Sequence, residues 1–145
     1  LGNRGVCRFV RAARFSALER AAYFAAANAA LVILQLEGTA IDEYERIAEL
    51  PGVDILFIGP YDLSQALGIP GQIEHPRVVE EMQKILAIVK RKNKTVGVFA
   101  DSLAQTQRWI LAGVQYLAYS VDVGLFYNIC SEVVAAIRTQ SAHGH

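Results

Sequence analysis

The sequence predicts an α/β chain of parallel strands and crossover helices, about four βα units that make up half of a TIM-type (β/α)8 barrel. Two observations carry this expectation. Short continuous apolar runs alternate with longer amphipathic stretches, and the runs start near residues 31, 54, 95 and 116. That spacing is close to the roughly 31 residues per unit of a complete eight-unit barrel. Strands that alternate with helices pair in parallel through right-handed crossovers. A small doubly wound sheet with helices on both faces is the competing architecture.

Within a single expected domain over 1–145, residues 1–30 read as a loop plus a helix, 31–138 as the four βα units and 139–145 as a polar tail. The first helix is expected over Ala17–Asn28. The strand runs are LVILQL (Leu31–Leu36), DILFI (Asp54–Ile58), TVGVF (Thr95–Phe99) and YLAYS (Tyr116–Ser120). Each is rich in Val, Ile, Leu or aromatics and bounded by turn residues, the pattern of strands covered on both faces. Helix is expected over Thr39–Leu50, ahead of the Pro51-Gly52 stop. Another spans Pro76–Lys92, with Val78, Val79, Met82, Ile85, Leu86 and Val89 on one face. A third runs from an Asp101 N-cap to Ala112 before Gly113, and the last covers Val123–Arg138. Four units alone would expose two sheet edges and an apolar inner face. Further upstream units, or a partner that supplies them, are therefore expected, in keeping with a chain that opens on Leu1 in mid-pattern.

Composition narrows the function classes. The 145 residues are 53% hydrophobic, enough for one core, and Lys+Arg and Asp+Glu both number 14. A zero formal charge offers no electrostatic case for nucleic acid or an anionic membrane surface. No apolar run approaches the ~20 residues of a membrane span. Cys7 and Cys130, far apart and without CxxC spacing, are expected as reduced thiols in small hydrophobic roles, in a cytoplasmic protein.

Reactive groups in either architecture belong at the carboxyl ends of the strands. The first strand ends Gln35-Leu36-Glu37-Gly38, and period-two alternation sends Gln35 and Glu37 to one face. The second ends Ile58-Gly59-Pro60-Tyr61-Asp62, which sets Asp62 25 residues after Glu37, one βα unit along. Two carboxylates so spaced can share a hard divalent cation or work as an acid–base pair. They equally suit Glu37 capping the next helix and Asp62 making an Asx-turn around Pro60. Gly59 permits close backbone approach, and a turn there can leave the amides of Tyr61 and Asp62 without partners, a seat for a carboxylate. Arg4, Arg8, Arg11 and Arg14 fall within eleven residues, either carboxylate partners or a solvated basic loop. Lys90–Lys94 sits at a helix C-terminus, where positive charge complements the macrodipole. His75 precedes Pro76 at a helix start, and Trp109 reads as core or interface packing.

RGV in the opening loop, LVILQLE, GVDILFIGPYDLSQALGIPG followed by HP, and the late Tyr119-Ser120-Val121-Asp122 occur in this order through almost the whole chain. Together they resemble the HpcH/HpaI aldolases, class II enzymes that cleave 4-hydroxy-2-oxoheptanedioate or 2-keto-3-deoxy-sugar acids to pyruvate and an aldehyde. The resemblance implies that Glu37 and Asp62 ligate Mg²⁺ or Mn²⁺, with Co²⁺ or Zn²⁺ as further options. It implies that Gln35 contacts the pyruvate moiety, that the backbone of Tyr61 and Asp62 holds its carboxylate, and that Arg11 lies on the aldehyde side. Tyr61 stands where relatives often carry a small residue, which narrows the pocket or alters specificity. The implied reaction is a retro-aldol cleavage in which the cation polarises the 2-keto group. The histidine base, its acid and the arginine on the keto oxygen have no match in this sequence, so binding without turnover is expected of the chain alone. A homo-oligomer with an exchanged last helix is also implied. The alternatives are a citryl-CoA-type lyase of the same superfamily and a non-catalytic, oligomerising or 2-oxo-acid-binding fragment.

Overall fold

A computed structural model of the protein describes residues 7–38 and 40–142. The chain divides into two units, Leu1–Val32 and Ile33–His145.

In the first unit a 3-10 turn, Arg11–Ser16, is kinked by left-handed backbone at Arg14 and Phe15. Arg8 spans this kink, donating from Nη2 to the carbonyls of Ser16 (3.2 Å) and Leu18 (2.7 Å). One of the four opening arginines is therefore structural. Helix α1, Arg20–Asn28, begins three residues later than the sequence predicts. The cause is Glu19, whose carboxylate takes the amides of Ala21 and Ala22 at 2.9 and 2.8 Å and acts as the N-cap. Those bonds hold the Glu19 carboxyl below its usual pKa.

The second unit carries β1 (Ile33–Leu36), α2 (Ile41–Ala48), β2 (Ile55–Ile58), α3 (Pro60–Ala66), α4 (Pro76–Arg91), β3 (Thr95–Ala100), α5 (Leu103–Ala112), β4 (Tyr116–Tyr119) and α6 (Asp122–Ala142). All three strand pairings are parallel, in the order β1-β2-β3-β4. This order decides between the two architectures. A doubly wound sheet reverses direction at a switch point, whereas consecutive strands here are always neighbours, as in a singly wound (β/α) barrel. β1 is shorter than its predicted run because its pairing starts late: it begins at Ile33 opposite Ile55, leaving Leu31 and Val32 exposed.

The helices cover one face of the sheet. Leu56, Ile58, Val96 and Val98 are completely buried, against Val78, Met82, Ile85 and Val89 of α4, which are 0–1% exposed. Each such side chain contributes about 1.5–3 kcal/mol by leaving water. Val79 packs at the margin of this core, and Trp109 lies within it at 3% exposure. On the opposite face the register aligns Gln35, Phe57, Gly97 and Tyr116 in one row. A Cβ on Gly97 would lie 2.6 Å from Phe57 Cδ2 and 3.0 Å from Tyr116 Cδ1. Its absence lets the two rings meet edge-to-face at 6.1 Å across the strand between them.

Several local expectations are corrected. The N-cap of α5 is Ser102, whose Oγ accepts from the Gln105 amide at 3.2 Å, and not Asp101. A short extra helix, α3, replaces the expected turn after β2. The basic run at the end of α4 mostly serves other elements. Lys94 Nζ caps the carbonyls of Leu50 and Val53, Lys90 Nζ that of Ala112, and Arg91 and Lys92 pair with Glu45 and Glu49. Cys7 and Cys130 are exposed instead of acting as small core residues. Cys130 lies on α6, whose apolar residues Val123, Phe126, Tyr127, Ile129 and Ile137 are all more than half exposed. That helix runs to Ala142, four residues beyond the expected Arg138. His143 and His145 lie outside the described residues. Among those residues no helix is long and apolar enough to cross a membrane.

Candidate functional site

The carboxyl ends of β1, β2 and β3 surround a depression of about 400 Å³ on the sheet face away from the helices. Its construction follows from the sequence between Phe57 and Ser64. Gly59 leaves β2 with φ −89° and ψ 101°, and Pro60 starts α3 at a position where a missing amide hydrogen costs nothing. The amide of Leu63 is the first to bond back, to Gly59 O at 2.9 Å. The amides of Tyr61 and Asp62 therefore fall in the first turn, which has no intrahelical acceptor for them. Ser64, fully buried, fixes this turn from below: its hydroxyl donates to Tyr61 O (2.6 Å) and accepts from the Gly71 amide (2.9 Å).

Two side-chain bridges cross the mouth. Gln35 Nε2 donates to Asp62 Oδ2 at 2.8 Å, linking β1 to the start of α3. The bond passes directly over Gly59, where a Cβ would lie 2.6 Å from both of its atoms. Gly59 is thus glycine for close approach and not for backbone conformation. The second bridge is the Tyr61 hydroxyl donating to Asp101 Oδ2, from α3 to the residue just after β3. This bond, then partial burial and the adjacent charge, push the Tyr61 hydroxyl up to about 12, so it stays a neutral donor. The Tyr61 ring meets Phe99 edge-to-face at 6.1 Å.

The expected site residues distribute unevenly. Gln35, Tyr61 and Asp62 line the depression together. Glu37 is exposed, one residue beyond the last paired residue of β1, Leu36, which stands opposite Ile58. The Asx-turn alternative for Asp62 is not what the chain adopts. The N-cap of α2 is Ala40, with no side-chain bond to it, and Asp62 faces Gln35 from inside a helix. The loop after Glu37 is anchored by Tyr44, whose hydroxyl donates to Gly38 O. Arg11 is exposed, at the first position of the 3-10 turn in the other unit. His75 is the N-cap of α4, accepting from the Arg77 amide at 3.2 Å. Among the described residues no three His, Cys, Asp or Glu side chains are grouped as metal ligands.

Sequence reasoning missed Asp101, Phe99, Phe57 and Val121, all part of the lining. For Asp101 the signal was available: it directly follows the last residue of β3, the same position from which the other reactive groups were selected.

Residues 4–129 match the family model for HpcH/HpaI aldolase/citrate lyase. A 5-keto-4-deoxy-D-glucarate aldolase of Klebsiella pneumoniae is 36% identical over 118 residues, covering 80% of this chain and 46% of that protein. A hydroxypyruvate/pyruvate aldolase of Paraburkholderia phytofirmans is 34% identical over 140 residues, 95% of this chain and 53% of the relative. The crystal structure of an HpcH/HpaI aldolase/citrate lyase family protein from Burkholderia cenocepacia superposes with a TM-score of 0.84 at 38% identity. It covers 94% of this chain and 53% of that one. The chain thus spans about half the length of the curated relatives it matches.

Proposed function

From the premise that this chain belongs to the HpcH/HpaI aldolase/citrate lyase family, we propose that it supplies the metal- and oxo-acid-holding half of a pyruvate-forming retro-aldolase barrel. The observation that carries this reading is the Gln35–Asp62 bond over Gly59, which brings an amide from β1 and a carboxylate from the first turn of α3 to one point. Glu37 stands at the end of the adjoining strand.

The donor set fits a hard divalent cation such as Mg²⁺ or Mn²⁺. Both candidate ligands are carboxylates, and Gly59 leaves open the space that a Cβ would fill beside Asp62. Glu37 and Asp62 would hold the cation, leaving its remaining positions to water and substrate oxygens. When bound, it would supply Lewis-acid polarisation of a 2-keto oxygen and offset the negative charge that develops there. Gln35 orients Asp62 and reaches the 2-oxo acid. The first-turn amides of Tyr61 and Asp62 offer hydrogen bonds to its carboxylate. In the reaction the bond between carbons 3 and 4 breaks, its electron pair passes to the pyruvate portion, and carbon 4 departs as the aldehyde once its hydroxyl proton is removed. Arg11 is assigned to the aldehyde side on family resemblance alone. No residue here is assigned the role of base, so the 145-residue chain is expected to bind metal and 2-oxo acid without turnover.

Exposed apolar residues along α6 support a role for this helix between subunits of a homo-oligomer. Two free cysteines fit a cytoplasmic setting.

The test is a calorimetric titration of Mn²⁺ or Mg²⁺ with oxalate, a mimic of the pyruvate enolate, into the chain and its Glu37→Ala and Asp62→Ala variants. Both substitutions are expected to abolish measurable oxalate binding. Unchanged binding in both variants overturns the metal assignment, and pyruvate release by the chain alone overturns its assignment as non-turning.

A further inference from the structure

The second bridge at the mouth has no part in holding the cation or the 2-oxo acid, yet it is the more elaborate of the two. Asp101 is held from both sides. Its amide hydrogen bonds to Gln105 Oε1 at 2.8 Å and its carboxylate accepts the Tyr61 hydroxyl. Tyr61 is held in turn by the edge of Phe99. A wall is thereby set across the depression from Asp62, between the ends of β2 and β3. Its exposed chemistry is one carboxylate, one phenol hydroxyl and aromatic surface. None of the described residues lining the depression is basic.

We propose that Tyr61 and Asp101 form a specificity wall for the second substrate fragment, selecting an uncharged, hydroxyl-bearing aldehyde over one that ends in a carboxylate. The inference rests on the aldolase reading of the same depression and deepens it by naming the class of the aldehyde. One carboxylate oxygen of Asp101 is engaged by Tyr61, and a carboxylate has acceptor capacity for further donors. Hydroxyl groups satisfy that capacity. A second carboxylate brings like charge against Asp101, and no basic side chain among the described residues of this lining offsets it. The phenol of Tyr61 orients the acid and leaves its charge in place.

Because Tyr61 and Asp101 share one bond, two variants separate charge from structure. Tyr61→Phe removes that bond and Asp101→Asn weakens it, but only the second removes the charge. Binding of D-glyceraldehyde and of succinic semialdehyde to the full 145-residue chain is measured by saturation-transfer NMR titration, with and without Mg²⁺ and oxalate. The wild-type chain is expected to favour glyceraldehyde by at least about fivefold, the order of one like-charge contact at the dielectric of bulk water. Tyr61→Phe is expected to keep that preference, and Asp101→Asn to reduce it to within about twofold. Equal binding of the two aldehydes, preference for the carboxylated one, no detectable binding of either, or the same response in both variants overturns the proposal. Failure of oxalate to bind refutes the metal and oxo-acid reading instead, and the titration without oxalate still decides the aldehyde preference.

Discussion

Replacing Gly59 with alanine would place a methyl group 2.6 Å from both Asp62 Oδ2 and Gln35 Nε2. Ordinary contact begins near 3.4 Å, so both atoms must retreat by about 0.8 Å. Since 0.8 Å from each side would stretch or misdirect a 2.8 Å bond, the Gln35–Asp62 bridge breaks. Backbone strain does not enter, because alanine tolerates the φ of −89° found at Gly59. Both displaced groups are side-chain ends at an exposed surface, so stability is expected to fall by less than about 1 kcal/mol. Binding responds differently. Asp62 freed from Gln35 must be re-ordered on binding, at about 0.5–1.5 kcal/mol per immobilised side chain, so oxalate affinity in the presence of Mn²⁺ is expected to drop roughly 2- to 12-fold. Calorimetry reads the affinity and a urea midpoint reads the stability. The reasoning is refuted if Gly59→Ala binds oxalate as the parent does, or if it loses stability and affinity in parallel.

Three further outcomes follow from the same geometry. Ser64→Ala deprives the Gly71 amide and Tyr61 O of a fully buried partner; a loss of about 1–3 kcal/mol is expected in urea unfolding. Gly97→Ala forces a methyl group between Phe57 and Tyr116, so a stability loss of about 1–3 kcal/mol and a weaker near-ultraviolet dichroism of the aromatic pair are expected. Glu74 is held below the ordinary carboxylate pKa of 4.5, chiefly by its hydrogen bond from Arg108. A depressed value stabilises above the unfolded pKa and is lost as pH falls through the folded one. The small advantage of the parent over Glu74→Gln in the urea midpoint is therefore expected at pH 7 and should vanish near pH 3; a gap that widens on acidification contradicts the assignment.

What the sequence made legible was whatever depends on local pattern. Three strands lie within the predicted apolar runs and β3 passes its run by one residue, Ala100, because parallel strands covered by helices must be apolar almost throughout. Face Val78–Val89 of α4 was readable from its spacing, and Gln35 and Asp62 from their places at strand ends. Short elements were harder. With seven residues, α3 has too little periodicity to distinguish it from a turn, and Glu19 outcompetes a longer α1 through two bonds that no propensity scale contains. Contacts across the chain were illegible for a different reason. Tyr61 and Asp101 stand 40 positions apart, and only the pairing register brings them together. The same is true of Lys90 and Lys94, in and just after the last turn of α4, whose partners at Ala112, Leu50 and Val53 belong to other elements.

Those lysines close the carbonyl ends at the pole opposite the depression. Their bonds tie α2 and the segments around β3 without involving any side chain that lines the mouth. Those bonds and the side chains that line the mouth therefore lie at opposite ends of the strands. Tyr61 and Asp101 take no part in the lysine bonds, so exchanging them leaves that end of the scaffold fastened.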